Sequence, residues 1–436
     1  MTATPQSLPQ RSFVRSVAGT YATQLVLLPL MLGASILQAR LVGPEGRGQI
    51  SLLTATSGVA VLYLGFGLSS SLTYHVASQR LDPRTLPGPL AWLLLAQASA
   101  LAAVLGVLSA TGLAPYILGS VPLEFAVPVL FALFTLAQVN SWMAALLSAR
   151  RDFGYTNLLS LGVVLVPLSA YGAGLRLGVP IPPAHYAICA LLAAEVARAL
   201  GLGVRLARNE RGASAPGGPS ASLRVVASYS LLAYACDAIQ FLAYRFDVWL
   251  VRNCHGDAEL GRYSLAVTLG ELVWVLATAI ATVLFPHIPG LDPRRAAQIA
   301  IRIAAIALAA TATLSAVGYL LAIPLLPILF SQAFAPSVPL LGVLLLGMVP
   351  FSVSKVLGNV VAGLGALRLN LISAIVGMVV CIGLDLLLIP PWGARGAAIA
   401  TSIAYVAFTV TLVLLFRQRT GMSWAEVWHS ATNRVV

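Results

Sequence analysis

Charge is the scarcest commodity in this chain of 436 residues: only 9% of it is Asp, Glu, Lys or Arg, against about 25% in a soluble domain. That excludes an ordinary water-soluble enzyme. With 59% hydrophobic residues and a mean hydropathy of +0.90, the chain is also too apolar to stay solvated as a disordered polymer. Lysine is nearly missing, since 25 Arg and the single Lys355 make up the 26 basic residues. The four cysteines, Cys189, Cys236, Cys254 and Cys381, show no CxxC spacing, so neither a disulfide framework nor a zinc site is indicated. His75, His185, His255, His287 and His429 are far apart and form no HExxH pattern, and no metal is expected. Long polar loops are lacking too, apart from one near the middle, which leaves little room for a loop-built catalytic site.

What is present is a series of continuous apolar stretches. A spanning helix needs about 20 apolar residues, and runs of that length fall at about 17–39, 50–75, 88–111, 125–148, 158–178, 183–206, 226–252, 260–286, 298–322, 339–363, 370–390 and 396–416. Membrane β-strands would be about 10 residues long and would alternate apolar with polar. The expected fold is therefore all-α and polytopic, with about twelve transmembrane helices. The first run follows Arg11 and Arg15 but is longer than the apolar part of a signal peptide, so it reads as an uncleaved span.

The net charge of +12 is read as loop bias and not as a nucleic-acid footprint. One set of alternate connections collects Arg80, Arg84, Arg150, Arg151, Arg205, Arg208, Arg294, Arg295, Arg417 and Arg419, whereas the other holds chiefly Arg40, Arg47, Arg176, Arg252, Arg262 and Arg395. The positive-inside rule then places both termini in the cytoplasm, and an even number of spans agrees.

The longest polar connection, 207–223, reads ARNERGASAPGGPSASL, the composition of a flexible linker. It separates an expected six-helix lobe, 1–206, from a second, 224–419. Gly48-Gln49-Ile50-Ser51-Leu52 and Gly261-Arg262-Tyr263-Ser264-Leu265 share a pattern at an offset of 213, and Asn157-Leu158-Leu159-Ser160 and Asn370-Leu371-Ile372-Ser373 match at the same offset. A common offset near half the length points to duplication, hence two lobes related as a parallel repeat with a transport path between them. Residues 420–436 carry Ser423 and Glu426 at capping-box spacing, with Trp424, Val427 and Trp428 on one face, and are expected to form a short interfacial helix.

Charges inside spans are costly and therefore candidates for function. Eight occur: Glu195, Arg198, Asp237, Arg245, Asp247, Glu271, Lys355 and Asp385. Glu195 and Arg198, three apart, can pair with each other. Asp237, Gln240 and Tyr244 form a polar stripe with Arg245 close to it, which suits either a cavity or a helix–helix contact. Asp247 points elsewhere and is placed near enough to the outer interface to be solvated. Lys355, mid-span, could pair with Glu271 or Asp385 or face an anionic substrate. Glu271 and Asp385 stand apart from other charges and are the candidates for coupling to a proton or sodium gradient. The cavity candidates are thus Arg245, Lys355, Asp237, Tyr244 and Arg40. Asp257 and Glu259, flanked by Arg252 and Arg262, read as an interfacial turn.

The segment Ala39-Arg40-Leu41-Val42-Gly43-Pro44-Glu45-Gly46-Arg47-Gly48 resembles the A-R-x-L-G-P-E-x-x-G signature of the polysaccharide or oligosaccharide flippases, a family of the multidrug/oligosaccharidyl-lipid/polysaccharide exporter superfamily. The resemblance continues through Tyr244-Arg245-Phe246-Asp247, Ala258-Glu259-Leu260-Gly261-Arg262-Tyr263-Ser264-Leu265-Ala266, Phe285-Pro286, Leu388-Ile389-Pro390 and Gly393-Ala394-Arg395-Gly396-Ala397-Ala398. It implies a two-lobed transporter of twelve or fourteen helices in a bacterial inner membrane. Such a protein moves polyprenyl-pyrophosphate-linked oligosaccharide from the cytoplasmic to the outer leaflet for cell-surface polysaccharide or O-antigen biosynthesis. The same resemblance implies no cofactor beyond a coupling ion, and as partners the lipid-linked substrate, membrane lipids and a polysaccharide polymerase with its assembly proteins. The eight intramembrane charges, five acidic and three basic, depart from a strongly cationic cavity. That balance keeps open a cation-coupled multidrug exporter of the same superfamily. A membrane-embedded polymerase or glycosyltransferase is disfavoured by the short connections.

Overall fold

The computed structural model describes residues 10–77, 82–150, 152–179, 181–210, 231–274, 293–363 and 366–432, and within these the side chains of 10–22, 70, 74, 209–210, 231–233, 235–237, 240 and 243–244 lie outside the description. The regular elements among the described residues are all helical: α1 (Gln10–Gly65), α2 (Leu68–Ala77), α3 (Pro87–Ala110), α4 (Ala114–Leu118), α5 (Leu123–Ala149), α6 (Phe153–Leu177), α7 (Pro183–Glu210), α8 (Leu231–Glu271), α9 (Pro293–Phe330), α10 (Ser337–Gly363), α11 (Leu367–Thr420) and α12 (Trp424–Thr432), with short 3-10 turns at Pro83–Thr85 and Gln332–Phe334. Eight of the described helices are long and apolar enough to cross a membrane. The chain is a multi-span, all-helical membrane protein. Large apolar side chains along α9, such as Leu320, Leu321 and Ile328, point outward, as they should where the surrounding medium is hydrocarbon.

Helices α3, α5, α6, α7 and α10 lie within a few residues of the expected spans. Elsewhere, two expected spans share one helical run that turns at a glycine: α1 at Gly43, α8 at Gly256 and α11 at Gly393. The turns at Gly43 (φ 65, ψ −175) and Gly256 (φ 82, ψ 177) have nearly the same backbone conformation, one that side-chain-bearing residues avoid. They stand 213 residues apart, the offset of the repeated G-x-Φ-S-L pattern.

The expected span 50–75 does not form one helix. It breaks at Phe66 (φ 48) and Gly67 (φ 64), and buried amides explain why the break is tolerated. Gln97 Nε2 donates to the Leu64 carbonyl at 2.7 Å and Gln138 Nε2 to the Val61 carbonyl at 3.2 Å, satisfying acceptors at the end of α1 that hydrocarbon could not. The polar side chains that do this lie on two other helices.

Packing divides the chain into two compact units, each discontinuous in sequence. The first is Met1–Leu41 with Ala60–Val107 and Glu124–Ser230; the second is Val42–Val59 with Leu108–Leu123 and Leu231–Val436. Inside the second unit the glycine-turned runs meet at very short range. A Cβ on Gly48 would lie 1.9 Å from the Asp257 carbonyl oxygen, and one on Gly261 would lie 1.8 Å from the Pro44 carbonyl oxygen. Gly48 and Gly261 are repeat equivalents, and so are Pro44 and Asp257. The two contacts are therefore one contact seen twice, across a local pseudo-two-fold. Small residues line part of this core, with Ala394, Ala397, Ala398 and Ala400 all fully buried in α11, as close helix approach in a membrane requires. An aromatic group completes it, in which the Phe351 and Tyr405 rings stack at 4.7 Å beside Trp274.

At the chain's end the capping box forms as its spacing predicts. Ser423 N–H donates to Glu426 Oε2 at 2.8 Å and Glu426 N–H donates to Ser423 Oγ at 3.2 Å. Val427 and Ala431 pack onto the core, Trp424 and Trp428 face outward, and Arg294 pairs with Glu426.

Candidate functional site

The two hairpins α8 and α11 bring the intramembrane charges of the second unit together. In α8 the turn at Gly256 folds Asp247 back against Tyr263, whose hydroxyl donates to Asp247 Oδ2. The same hydroxyl lies 3.2 Å from Thr401 Oγ1 on the far arm of α11. On the near arm, Cys381 Sγ donates to Asp385 Oδ2 at 3.6 Å, and Asp385 interacts electrostatically with Asp247 and Tyr263. The tips of the hairpins are joined by His255 Nε2, which lies 2.9 Å from the Ile389 carbonyl and 3.2 Å from that of Pro390. Those carbonyls are available because Gly393 breaks the helix three residues later.

Asp247, Tyr263 and Asp385 are almost inaccessible, at 3%, 1% and 0% exposure. Asp247 Oδ1 and Asp385 Oδ1 are each buried without a hydrogen-bond partner among the described residues. Each carboxyl group lies in the electrostatic field of the other, and burying two such groups together is costly unless their charge is neutralised.

Beside Asp247 lies a small cleft of about 10 Å³ that Arg245, Asp247, Tyr263, Glu271, Thr401 and Tyr405 help to line, with Ser51 contributed by α1. Arg245 Nη2 and Glu271 Oε1 are 3.9 Å apart, with side chains 32% and 41% exposed. This is a loose pair at the limit of contact. Lys355 Nζ sits over the rings of Trp274 and Phe351, 4.8 Å and 5.1 Å from their centroids, a desolvated cation–π site, and it interacts electrostatically with Glu271. Arg47 Nη2 donates to Thr268 Oγ1 at 3.4 Å, one helical turn before Glu271.

Several expectations change. Glu271 does not stand apart, since Arg245 and Lys355 both act on it. Asp247 is buried and not solvated. It lies nine residues before Gly256, about 13 Å down the helix from the turn, too deep for the interface. Glu195 takes its hydrogen bond from Asn140 Nδ2 at 2.7 Å, so its partner comes from a neighbouring helix, α5. Asp257, read from the sequence as part of an interfacial turn, pairs with Arg252 at 3.2 Å and also accepts from Ser120. Arg40 is exposed and does not line this cleft. The side chains of Asp237 and Tyr244 lie outside the described residues, as does most of the 207–223 linker. Tyr263 and Thr401 were missed because an uncharged hydroxyl in an apolar run carries no signal by itself. The only hint was that Tyr263 sits inside the duplicated G-x-Φ-S-L pattern.

The fold has solved counterparts. A multidrug resistance MATE family transporter of the MOP superfamily, in an inward-facing conformation, superposes with a TM-score of 0.68 at 18% identity, over 90% of this chain and 94% of that one. The lipid II flippase MurJ, in an inward closed conformation, gives 0.73 at 12% identity, over 96% and 90%. A MOP superfamily transporter from Pyrococcus furiosus, described as having a binding pocket of reverse polarity, gives 0.63 at 17%, over 97% and 99%. These counterparts are transporters and flippases and not enzymes, and the chain shares their fold. No curated protein matches significantly in sequence. Residues 37–339, a stretch that holds the duplicated glycine turns, Arg245, Asp247, Tyr263 and Glu271, match the family described as Polysaccharide biosynthesis protein. This chain belongs to that polysaccharide biosynthesis protein family.

Proposed function

We propose that the protein is a flippase for lipid-linked oligosaccharide, moving a polyprenyl-pyrophosphate-linked sugar from the cytoplasmic to the outer leaflet of a bacterial inner membrane. The observation that carries this reading is the position of Arg245. In a chain of the polysaccharide biosynthesis family, a guanidinium about a third exposed lines a small cleft together with the buried Asp247, whose carboxyl interacts electrostatically with Asp385. Arginine is suited to a diphosphate because its planar fork can donate two parallel hydrogen bonds, and Lys355 adds a second positive charge nearby. The carboxylate pair supplies the coupling site. Loading it with a proton or sodium removes a buried like-charge repulsion, so the two states of the pair favour different packings of the hairpins around it. Twelve spans in two six-helix lobes, with both termini cytoplasmic, form the frame for alternating access. The exported product passes to a polysaccharide polymerase and its assembly proteins.

A second reading, export of a cationic drug, is favoured by one feature: the buried carboxylates would attract a cation as readily as they hold a coupling ion. The deciding experiment uses purified protein in liposomes carrying a fluorescent polyprenyl-pyrophosphate oligosaccharide, read by an impermeant quencher, with and without a proton or sodium gradient. Protein-dependent translocation supports the flippase. Absence of translocation, with gradient-driven efflux of a cationic dye, transfers the assignment to drug export.

A further inference from the structure

We infer that Glu271 is an internal competitor for the substrate's anionic head: it occupies Arg245 when the cleft is empty, and it gives up Arg245 when it takes a proton. The inference rests on the reading of the cleft as the site for a diphosphate head and adds a device that regulates it.

The geometry is that of a contact made to be exchanged. At 3.9 Å between Nη2 and Oε1 the Arg245–Glu271 pair is at the edge of ion-pair distance, and both side chains are a third or more exposed to the cleft. A structural bridge would be short, bidentate and buried. Within the same unit Arg252 and Asp257 provide the contrast, at 3.2 Å with side chains 17% and 6% exposed. Among the described residues Arg245 also lies over the Phe241 ring, 5.9 Å from its guanidinium carbon, and interacts electrostatically with Asp247. Glu271 is the last residue of α8, followed by a turn at 272–273, so its side chain can swing without disturbing a helical ladder.

The groups facing Glu271 define what its proton does. From α8 these are Arg245, with Asp247 and Tyr263 beyond it; from α10, Lys355; from α11, the Tyr405 hydroxyl lining the same cleft; from α1, Arg47 through Thr268. The ionised carboxylate thus cancels one of two nearby positive charges. Protonation restores a net positive cleft, and a diphosphate then meets Arg245 and Lys355 without displacing a rival anion. Binding of the head and binding of a proton at Glu271 are therefore mutually reinforcing, and linkage makes the effect reciprocal.

The test measures binding of geranylgeranyl pyrophosphate to purified full-length protein in nanodiscs by calorimetry, at about pH 8 and about pH 4, the second at or below the ordinary glutamate value of about 4.3. Geranylgeraniol serves as the uncharged control. Wild type is compared with Glu271→Gln at each pH, which cancels the probe's own ionisation. Glu271→Gln should bind about fivefold tighter than wild type at the higher pH, the scale of one exposed ion pair, and the gap should close at the lower pH. Arg245→Gln should weaken binding at both, and Arg245→Lys, which keeps the charge, should restore part of it if the first variant is poorly folded. Equal affinity of wild type and Glu271→Gln at the higher pH, with Arg245→Gln still defective, overturns the competition while leaving the cleft as the head-group site. Binding unaffected by Arg245→Gln and Arg245→Lys alike, or no preference for the pyrophosphate over the alcohol, overturns the underlying reading as well.

Discussion

Replacing Gly48 with alanine should destabilise the protein through a backbone collision that no side-chain movement can relieve. The added Cβ would sit 1.9 Å from the Asp257 carbonyl oxygen, and contacts of this kind are essentially never closer than 3.0 Å. The two turned helices must therefore part by at least about 1 Å. Overpacking costs about 1–3 kcal/mol when side chains can yield, and an obstructing carbonyl puts this site near the upper figure. Alanine regains about 1 kcal/mol of helix propensity over glycine. The net expectation is a loss of about 2 kcal/mol. Gly261→Ala, which would bring its Cβ 1.8 Å from the Pro44 carbonyl oxygen, should cost the same. The double variant should cost less than the sum, because the helices have already moved apart and the two sites share that displacement.

Thermal unfolding of the detergent-purified protein, followed by tryptophan fluorescence, checks all three variants against Gly318→Ala in α9. Nothing lies within 4 Å of a Cβ at Gly318, so that change should be neutral or slightly stabilising. An unchanged or raised Tm for both Gly48→Ala and Gly261→Ala would refute the reasoning. Strict additivity in the double variant would refute the shared contact while leaving each clash in place.

Asp385→Asn and Asp247→Asn should each abolish the dependence of translocation on a proton or sodium gradient, because each removes one of the two carboxylates proposed to hold the coupling cation; retained gradient dependence in both removes the pair from the mechanism. Tyr263→Phe takes from Asp247 its hydroxyl partner, and an unsatisfied buried carboxylate should lower stability by about 1–3 kcal/mol while Thr401→Val, which spares that bond, costs less; equal Tm values for the two would contradict the assignment. At the C-terminal helix, the Ser423 backbone N–H and then Arg294 hold the Glu426 carboxyl below its ordinary value. A depressed carboxylate stabilises above its unfolded pKa and loses that contribution as pH falls through the folded one. Hydrogen-exchange protection factors over 424–432, which take out the intrinsic slowing of exchange in acid, should therefore fall on acidification below about pH 4 in wild type, and Glu426→Gln should show lower protection already at neutral pH. A wild-type rate showing no acid-dependent loss of protection would count against the cap.

Much of this architecture was legible as hydrophobic length, because hydrocarbon imposes one rule on every span and the rule is written in composition. Thus α3, α5, α6, α7 and α10 lie close to their expected limits. The rule is silent where the backbone finds a substitute for helix bonding. The break at Phe66–Gly67 depends on Gln97 and Gln138, residues 31 and 72 positions beyond Phe66, and no local pattern announces such an alliance. Site residues divide along the same line. Arg245, Glu271, Lys355 and Asp385 were visible because charge in a span is costly wherever it falls. Which of them meet was not, since pairing depends on where the glycine turns at Gly256 and Gly393 fold the chain back. Asp247 was misplaced for that reason: its depth is measured from Gly256, and its partner Tyr263, itself met by Thr401, arrives from the returning arm.

The duplication separates what builds this scaffold from what works on it. At the offset of 213 that relates Gly43 to Gly256 and Gly48 to Gly261, the positions equivalent to Arg245, Asp247, Tyr263, Glu271, Lys355, Asp385 and Thr401 are Leu32, Ala34, Ile50, Gly58, Trp142, Gly172 and Ile188. None is charged, and none carries a hydroxyl. By contrast the elements that position the site are kept in both copies: the turning glycine, the crossing glycine, and the Ser-Leu that follows it. If the buried charges were needed to hold such helices together, the first copy would have had to keep them or replace them with other polar bridges at the same places. It fills them with apolar and small residues instead. The cost of burying Asp247 and Asp385 is therefore incurred in one copy only, which is what a role in the proposed coupling predicts. The same contrast yields a test of role: Asp385→Gly and Asp247→Ala, which write the first copy's residues into the second, should leave a folded protein with a Tm at or above that of wild type and no gradient-dependent transport. A marked loss of Tm in both would mean that the second copy has come to rely on its charges for stability.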